Sequence, residues 1–379
     1  MGWQRHVLIN NNSPTGFALP RQIIIKKSKR ISACERRCVQ QEGGQGPSTK
    51  RLFQTRELEL FFLLLMAMVV MVIHWRCWWW CLSRRLLLSV AVSNGKIVQK
   101  IIGGRFASNG QFKYQVSLQL ISGNGCTHHF CGGSILDERH IITAAHCVTD
   151  KNSHQFNGVY ITVVADATYL ADKRTGLYHD VEYTFMPYSY MLNGAGSYYH
   201  DIAILRLRRP LPLGKNRKIG AVRLPTAYQY LPPNRQLAVV SGFGVYRQTQ
   251  FTNGMIADST SSPFMKYVYI RINVQDQFGC DNTQVCAKSL NSYLEGTCFG
   301  DSGGPLVDHS TNTLIGLVSH STSYLCGQMT RFTRVSSYLN NFIYKVLRNR
   351  IDNTIVYIQT NHNNERVIRS YPHCVRTME

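Results

Sequence analysis

The chain has 379 residues, 44% of them hydrophobic, and carries 42 Lys+Arg against 21 Asp+Glu, a formal net charge of +21. That apolar share excludes a wholly disordered chain, and the length allows two or three domain-sized units. The charge alone would suggest nucleic acid or an anionic membrane as partner, but +12 of it falls in residues 1–100 and only +7 in residues 101–345.

Residues 1–57 show no sustained period of 2 or 3.6 and read as a basic, disordered segment. Its basic run at 21–37 has neither interleaved aromatics nor a nucleic-acid fold motif, so no nucleic-acid partner is expected. Residues 58–92 form a hydrophobic region with 14 unbroken apolar residues at 60–73. A signal-peptide core needs roughly 7–15 apolar residues, and a spanning helix about 20. Counting on to Leu82, past His74 and Arg76, reaches spanning length and adds Trp75, Trp78, Trp79 and Trp80 as an interfacial belt. Two readings stay open: an export signal, or a signal-anchor that leaves the N-terminus cytoplasmic. A core helix is disfavoured because no amphipathic partner segments surround it. Either favoured reading sends everything after residue 100 across a membrane. The expected location is extracellular, with the plasma membrane, catalytic part outward, as the alternative. Membrane contact is expected only through this segment.

From Ile101 the texture changes to short apolar runs broken by Gly, Pro and Asn. Residues 114–121, 134–136, 140–143, 159–164, 202–207, 237–241, 268–274 and 313–319 read as strands. Val335, Leu339, Phe342, Ile343 and Val346 repeat at helical spacing near the end of this region. The pattern predicts an all-β sandwich or pair of barrels. Of 12 cysteines, seven lie between residues 101 and 345. Cys34/Cys38 and Cys77/Cys81 lack a second pair at zinc spacing, so neither metal nor cofactor is expected.

Three constellations on this framework carry chemistry: Thr143-Ala144-Ala145-His146-Cys147, His200-Asp201-Ile202-Ala203, and Gly300-Asp301-Ser302-Gly303-Gly304-Pro305. Singly they read as a structural His beside Cys, a loop-capping Asp and a Gly-rich turn. In the order His…Asp…Ser they are what nucleophilic acyl transfer needs: a weak hydroxyl nucleophile, a base and an orienting carboxylate.

With Phe130-Cys131-Gly132-Gly133-Ser134 and Ser241-Gly242-Phe243-Gly244, these motifs resemble the chymotrypsin-like (S1) serine proteases from Ile101 to about Tyr344. The resemblance implies two antiparallel β-barrels with a C-terminal helix in residues 101–345, and an active site in the cleft between the barrels. It makes Ser302 the nucleophile, His146 the general base and Asp201 its partner, with the N–H groups of Gly300 and Ser302 as oxyanion hole. It makes residues 93–100 an activation segment, cut after Lys100 so that the new Ile101 ammonium pairs with Asp301. It pairs Cys131–Cys147, Cys280–Cys286 and Cys298–Cys326, leaving Cys126 over, with Cys374 as a candidate partner.

The chain departs from the family at the primary pocket. Gly296 stands at the floor position with no carboxylate. Ser319-His320-Ser321 replaces the usual Ser-Trp-Gly edge, and Thr330 stands at the second wall. Small or medium apolar side chains are therefore expected to be preferred over Arg and Lys, whose charge would be buried without a partner. Such an enzyme would cut poorly after Lys100, so a separate trypsin-like protease is expected as activator. Protein or peptide substrates and a protein inhibitor complete the expected partners. A catalytically inactive binding protein on the same fold is the rival from another class, although all three catalytic residues stand. Residues 346–379 continue past the family's usual end and read as an extension of unassigned role.

Overall fold

The computed structural model describes residues 97–99, 104–157, 160–193, 198–226, 236–250, 256–273, 280–290, 295–321, 326–375 and 377–378. The segments 1–57 and 58–92, Lys100 and Ile101 lie outside the described residues. Among those described, no helix is long and apolar enough to cross a membrane.

Two short strands come first, β1 (Ile97–Gln99) and β2 (Arg105–Phe106). The N-terminal barrel follows: β3 (Gln115–Ile121), β4 (Thr127–Ile135), β5 (His140–Thr143), β6 (Thr162–Ala165), β7 (Leu177–Pro187) and β8 (Ala203–Leu207). They lie in the order β7-β6-β3-β4-β5-β8, and pairing of β7 with β8 closes the cylinder. Alternation along β3 sends Val116 and Leu118 inward, to pack with Ile135, Ile141, Val163 and Leu205.

The second barrel uses β9 (Leu237–Gly242), β12 (Lys266–Asn273), β13 (Gln284–Ser289), β14 (Pro305–Asp308), β15 (Thr313–Ser321) and β16 (Thr330–Arg334). Between the first two of these run β10 (Val245–Gln250) and β11 (Ile256–Ser261). The order is β13-β16-β15-β14-β9-β12, closed by β12 pairing with β13. Its interior holds Val240, Val268, Ile270, Leu306, Ile315 and Phe332. Both barrels are antiparallel and six-stranded.

A third cluster binds the barrels to each other. Ile142 and Ile204 from the first barrel and Val239, Val307 and Leu317 from the second meet Val335, Leu339, Phe342, Ile343 and Val346. Those last five are the residues whose spacing predicted a helix. They lie on a helical run that changes pitch, a 3₁₀ turn at Val335–Tyr338, a π turn at Leu339–Ile343 and an α turn at Tyr344–Leu347.

Residues 346–379 fold back over the N-terminal barrel. β17 (Ile355–Gln359) pairs with the far half of β7, from Ile355↔Pro187 to Gln359↔Tyr183. A helical turn at Glu365–Ser370 buries Ile368 in the shared cluster, together with Ile355. Cys374 is then bonded to Cys126 at a sequence separation of 248. At the C-terminus, β18 (Thr377–Met378) pairs with β11, whose other neighbour, β10, also carries β1. The backbone just before Lys100 therefore forms one edge of a four-stranded sheet, and the chain's last residues form the other.

Candidate active site

His146 sits on a 3₁₀ turn (Ala145–Cys147) directly after β5. Two bonds reach it from one carboxylate: its backbone N–H donates to Asp201 Oδ1 at 2.9 Å and its Nδ1–H to Asp201 Oδ2 at 2.8 Å. Asp201 is fully buried just ahead of β8. Its Oδ2 also accepts from Ser319 Oγ at 2.5 Å, and its carbonyl accepts from Thr333 Oγ1 at 2.8 Å. Burial alone would push the Asp201 carboxyl up, but the His146 charge and these hydrogen bonds outweigh it and hold the group below the usual carboxylate range. An acceptor on Nδ1 fixes one imidazole tautomer and leaves Nε2 free to take a proton.

Ser302 lies between β13 and β14 on a loop that β4 and β15 hold from two sides. Its carbonyl accepts from Gly132 N–H at 2.8 Å, and Gly303 N–H donates to Val318 O at 2.7 Å. Gly303 has φ +73°, and a Cβ there would overlap Thr143 Oγ1 and the Gly132 carbonyl. β4 thus couples the two halves, since Cys131, next to Gly132, is bonded to Cys147 beside His146. The Cys280–Cys286 and Cys298–Cys326 bonds are also formed. Among the described residues, Cys131, His146 and Cys147 are the one cluster with metal-ligand proximity, and two of its sulfurs are spent in that disulfide.

Gly300 takes φ +95°, and among the described residues neither its N–H nor that of Ser302 donates to a protein acceptor. The Gly300 carbonyl is held from behind by His129 Nε2–H at 2.8 Å, while His129 Nδ1 accepts from Ser117 Oγ at 2.8 Å. Burial lowers His129 to about 4, so the ring is neutral and its tautomer is set by these partners. Sequence reasoning did not single out Ser117 or His129. The only local signal was a second His beside Phe130-Cys131-Gly132-Gly133.

Asp301 points away from the cleft. Its Oδ1 accepts from Gly244 N–H and its Oδ2 from Cys298 N–H, each at 2.9 Å. A Cβ at Gly242 or Gly244 would strike this carboxyl, which explains the glycines of Ser241-Gly242-Phe243-Gly244. Burial raises Asp301 to about 7 in spite of both donors, and no cation among the described residues pairs with it.

His146 and Ser302 line one cleft of about 460 Å³ together with Tyr198, Thr297, Val318, Ser319, His320, Ser321 and Thr330. Lys151 is the permanently charged side chain among the lining residues, and none of them is acidic. At the inner end the Thr297 and Thr330 hydroxyls bond to each other at 2.7 Å. Gly296 is buried behind them against Gly327 rather than lining the cleft; a Cβ on it would lie 3.2 Å from Gly327 Cα. On the edge, the His320 ring stacks on Tyr198 at 4.5 Å, and Tyr198 stands edge-on to His146 at 6.0 Å.

This geometry agrees with comparisons to known proteins. The Trypsin family model matches residues 101–343. Chymotrypsin-2 of Vespa crabro is 30% identical over 240 residues, 63% of this chain and 97% of that protein. Chymotrypsin-like elastase family member 1 of Macaca fascicularis is 30% identical, over 64% and 87% of the two chains. Coagulation factor IX of Cavia porcellus is 32% identical, over 64% and 80%. Among solved structures, human heparin binding protein superposes with a TM-score of 0.51 at 27% identity, covering 66% of this chain and 97% of its own. The chain belongs to the trypsin family and is a serine endopeptidase.

Proposed function

We propose that the protein is an exported endopeptidase made as a zymogen, activated by a cut after Lys100, that cleaves peptide bonds after small or medium apolar residues. The observation that carries the reading is that His146, held by Asp201, and Ser302 line one cleft, with undonated N–H groups on Ser302 and on Gly300 two residues before it. Ser302 Oγ attacks the scissile carbonyl as His146 Nε2 takes its proton. The Gly300 and Ser302 N–H groups receive the negative charge that develops on the oxygen. His146 returns the proton to the leaving amine, and a water activated by the same base hydrolyses the acyl-enzyme. Asp201 remains ionised and stabilises the imidazolium.

The primary specificity rests on the closed inner end of the cleft. Paired Thr297 and Thr330 hydroxyls and the lack of an acidic lining residue leave no partner for a P1 cation. Cleavage after Lys100 is therefore assigned to a separate trypsin-like protease, which would free Ile101 to pair with Asp301. Protein or peptide substrates and a protein inhibitor are the partners this chemistry accepts. Residues 60–82 would direct export and then either be removed or remain as a type II anchor; the mass of the mature N-terminus separates these two.

The test is a fluorophosphonate probe applied after trypsin treatment. Labelling that disappears in Ser302→Ala supports the proposal. Absence of labelling in the cut wild-type chain overturns it in favour of an inactive binding protein. Cleavage after Lys rather than Ala in a P1 peptide series would overturn the specificity alone.

A further inference from the structure

His320, at the position where family members carry the Trp of Ser-Trp-Gly, has polar partners on both ring nitrogens. Arg331 Nη1 lies 3.3 Å from His320 Nε2, and Ser319 Oγ lies 3.3 Å from His320 Nδ1. A guanidinium can only donate, so Nε2 accepts and the proton of the neutral ring sits on Nδ1, aimed at Ser319 Oγ. Ser319 passes its own proton toward Asp201 Oδ2 at 2.5 Å, and that same oxygen accepts from His146 Nδ1 at 2.8 Å. One directed chain results, from Arg331 through His320 and Ser319 to Asp201, with His146 on its far side.

We propose that Arg331 and His320 are positioning residues for the catalytic base: through Ser319 they draw charge from Asp201 and so weaken its pull on the His146 imidazolium. The proposal rests on the protease reading above.

The chain is built into the strands. β15 and β16 pair His320 with Arg331 directly, beside an irregularity in the ladder between Val318 and His320. Tyr198 covers one face of the His320 ring. The groups facing His320 are thus Tyr198 from the segment before β8, Arg331 from β16, Ser319 beside it on β15, Asp201 and His146. Those facing His146 are Asp201, Tyr198 and His320, with Lys151 and His154 lining the same cleft. Burial first, then the charges of Arg331 and His146, outweigh the pull of Asp201 and hold His320 at about 4, so the ring stays a neutral one-way donor over the working range. Bonds in such a chain strengthen one another. Donation into Ser319 makes its hydroxyl a better donor to Asp201, and a carboxylate that has given up charge stabilises the imidazolium less.

Two measurements test this. Nitrogen-15 imidazole spectra of the full chain should show His320 as the Nδ1–H tautomer; the Nε2–H tautomer would overturn the chain whatever the catalytic state. The second is the pH dependence of inactivation of the trypsin-cut enzyme by a small fluorophosphonate without a peptide arm. Loss of contacts to an extended substrate does not affect that probe. His320→Phe and Arg331→Met should move the acidic limb upward by about half a pH unit, and Arg331→Lys by less, because it keeps the cation. Acidic limbs unmoved in both variants would defeat the proposal while leaving the protease reading intact. No reaction in the cut wild type would defeat the protease reading, and the relay with it.

Discussion

The two barrels carry the proposed catalytic groups in different states of readiness. The N-terminal barrel's pair sits in a closed set of bonds, one of them from Ser319 of the second barrel, in which both oxygens of the Asp201 carboxylate are used and the imidazole is fixed at one tautomer. The C-terminal barrel holds Ser302 on a loop whose neighbouring carboxylate, Asp301, has only two N–H donors and no cation among the described residues. A buried carboxylate with that support is pushed up to about 7, where Asp201 is held low. Control can act on one of the two halves. The acid–base half depends on contacts already made inside the fold, while the nucleophile half waits for a charge that the proposed cut after Lys100 would supply.

The largest effect is expected from removing the chemistry itself. Ser302→Ala should cost about 10⁶ in kcat, and Asp201→Asn about 10⁴, because the amide would favour the wrong imidazole tautomer. Next comes the control point. Asp301→Asn in the cut enzyme should lose about 10²–10³ in kcat/KM, the scale of a lost oxyanion donor. The His146 imidazole signals should stay where they are. If those signals move as well, the two halves are not separate.

A smaller effect is expected at the pocket. Thr330→Gly removes one of the paired hydroxyls and should raise the preference for an aromatic over a small P1 residue by about tenfold to 100-fold, read from a P1 peptide series. An unchanged preference would mean that something other than the Thr297–Thr330 contact closes the cleft.

The returning tail should matter for stability and not for rate. Cys374→Ser opens a crosslink spanning 248 residues. It should cost between about 2 and 5 kcal/mol in unfolding, with kcat/KM unchanged. The pH dependence of precursor stability gives the finest distinction. Asp301 has a folded-state value of about 7, above its unfolded value near 3.9. The folded precursor therefore keeps a proton that the unfolded chain releases. This contribution is full below about pH 4 and is lost as pH rises to about 7. Asp301→Asn should flatten that part of the profile, and so should the cut, once the Ile101 ammonium offsets the buried charge.

The residues proposed as catalytic stood out in the sequence because each sits in a short local motif whose spacing is set by its own turn. The helical run at Val335–Leu347 was legible because its apolar spacing follows one buried face. Other elements were not. β7 carries His179 and Asp180 among its buried residues, which breaks the apolar alternation that marks a strand. Most of β4 reads Thr-His-His-Phe-Cys-Gly-Gly; His129 and Gly132 are explained by partners in the Ser302 loop, and Gly133 by the close approach of β3 and β5. Thr297 and Arg331 gained roles from residues 33 and 11 positions away, distances at which one sequence gives no pairing signal. The tail looked like an appendage because Ile355 and Ile368 find their core only after the chain has folded back.

One half of the site is set by the fold, and the proposed cut would set the other. The rate at which a fluorophosphonate labels Ser302, before and after cleavage at Lys100, tests it most directly. Labelling should be slow in the precursor, rise at least about 10²-fold on cleavage, and show no such rise in cleaved Asp301→Asn. Equal rates before and after the cut would contradict it.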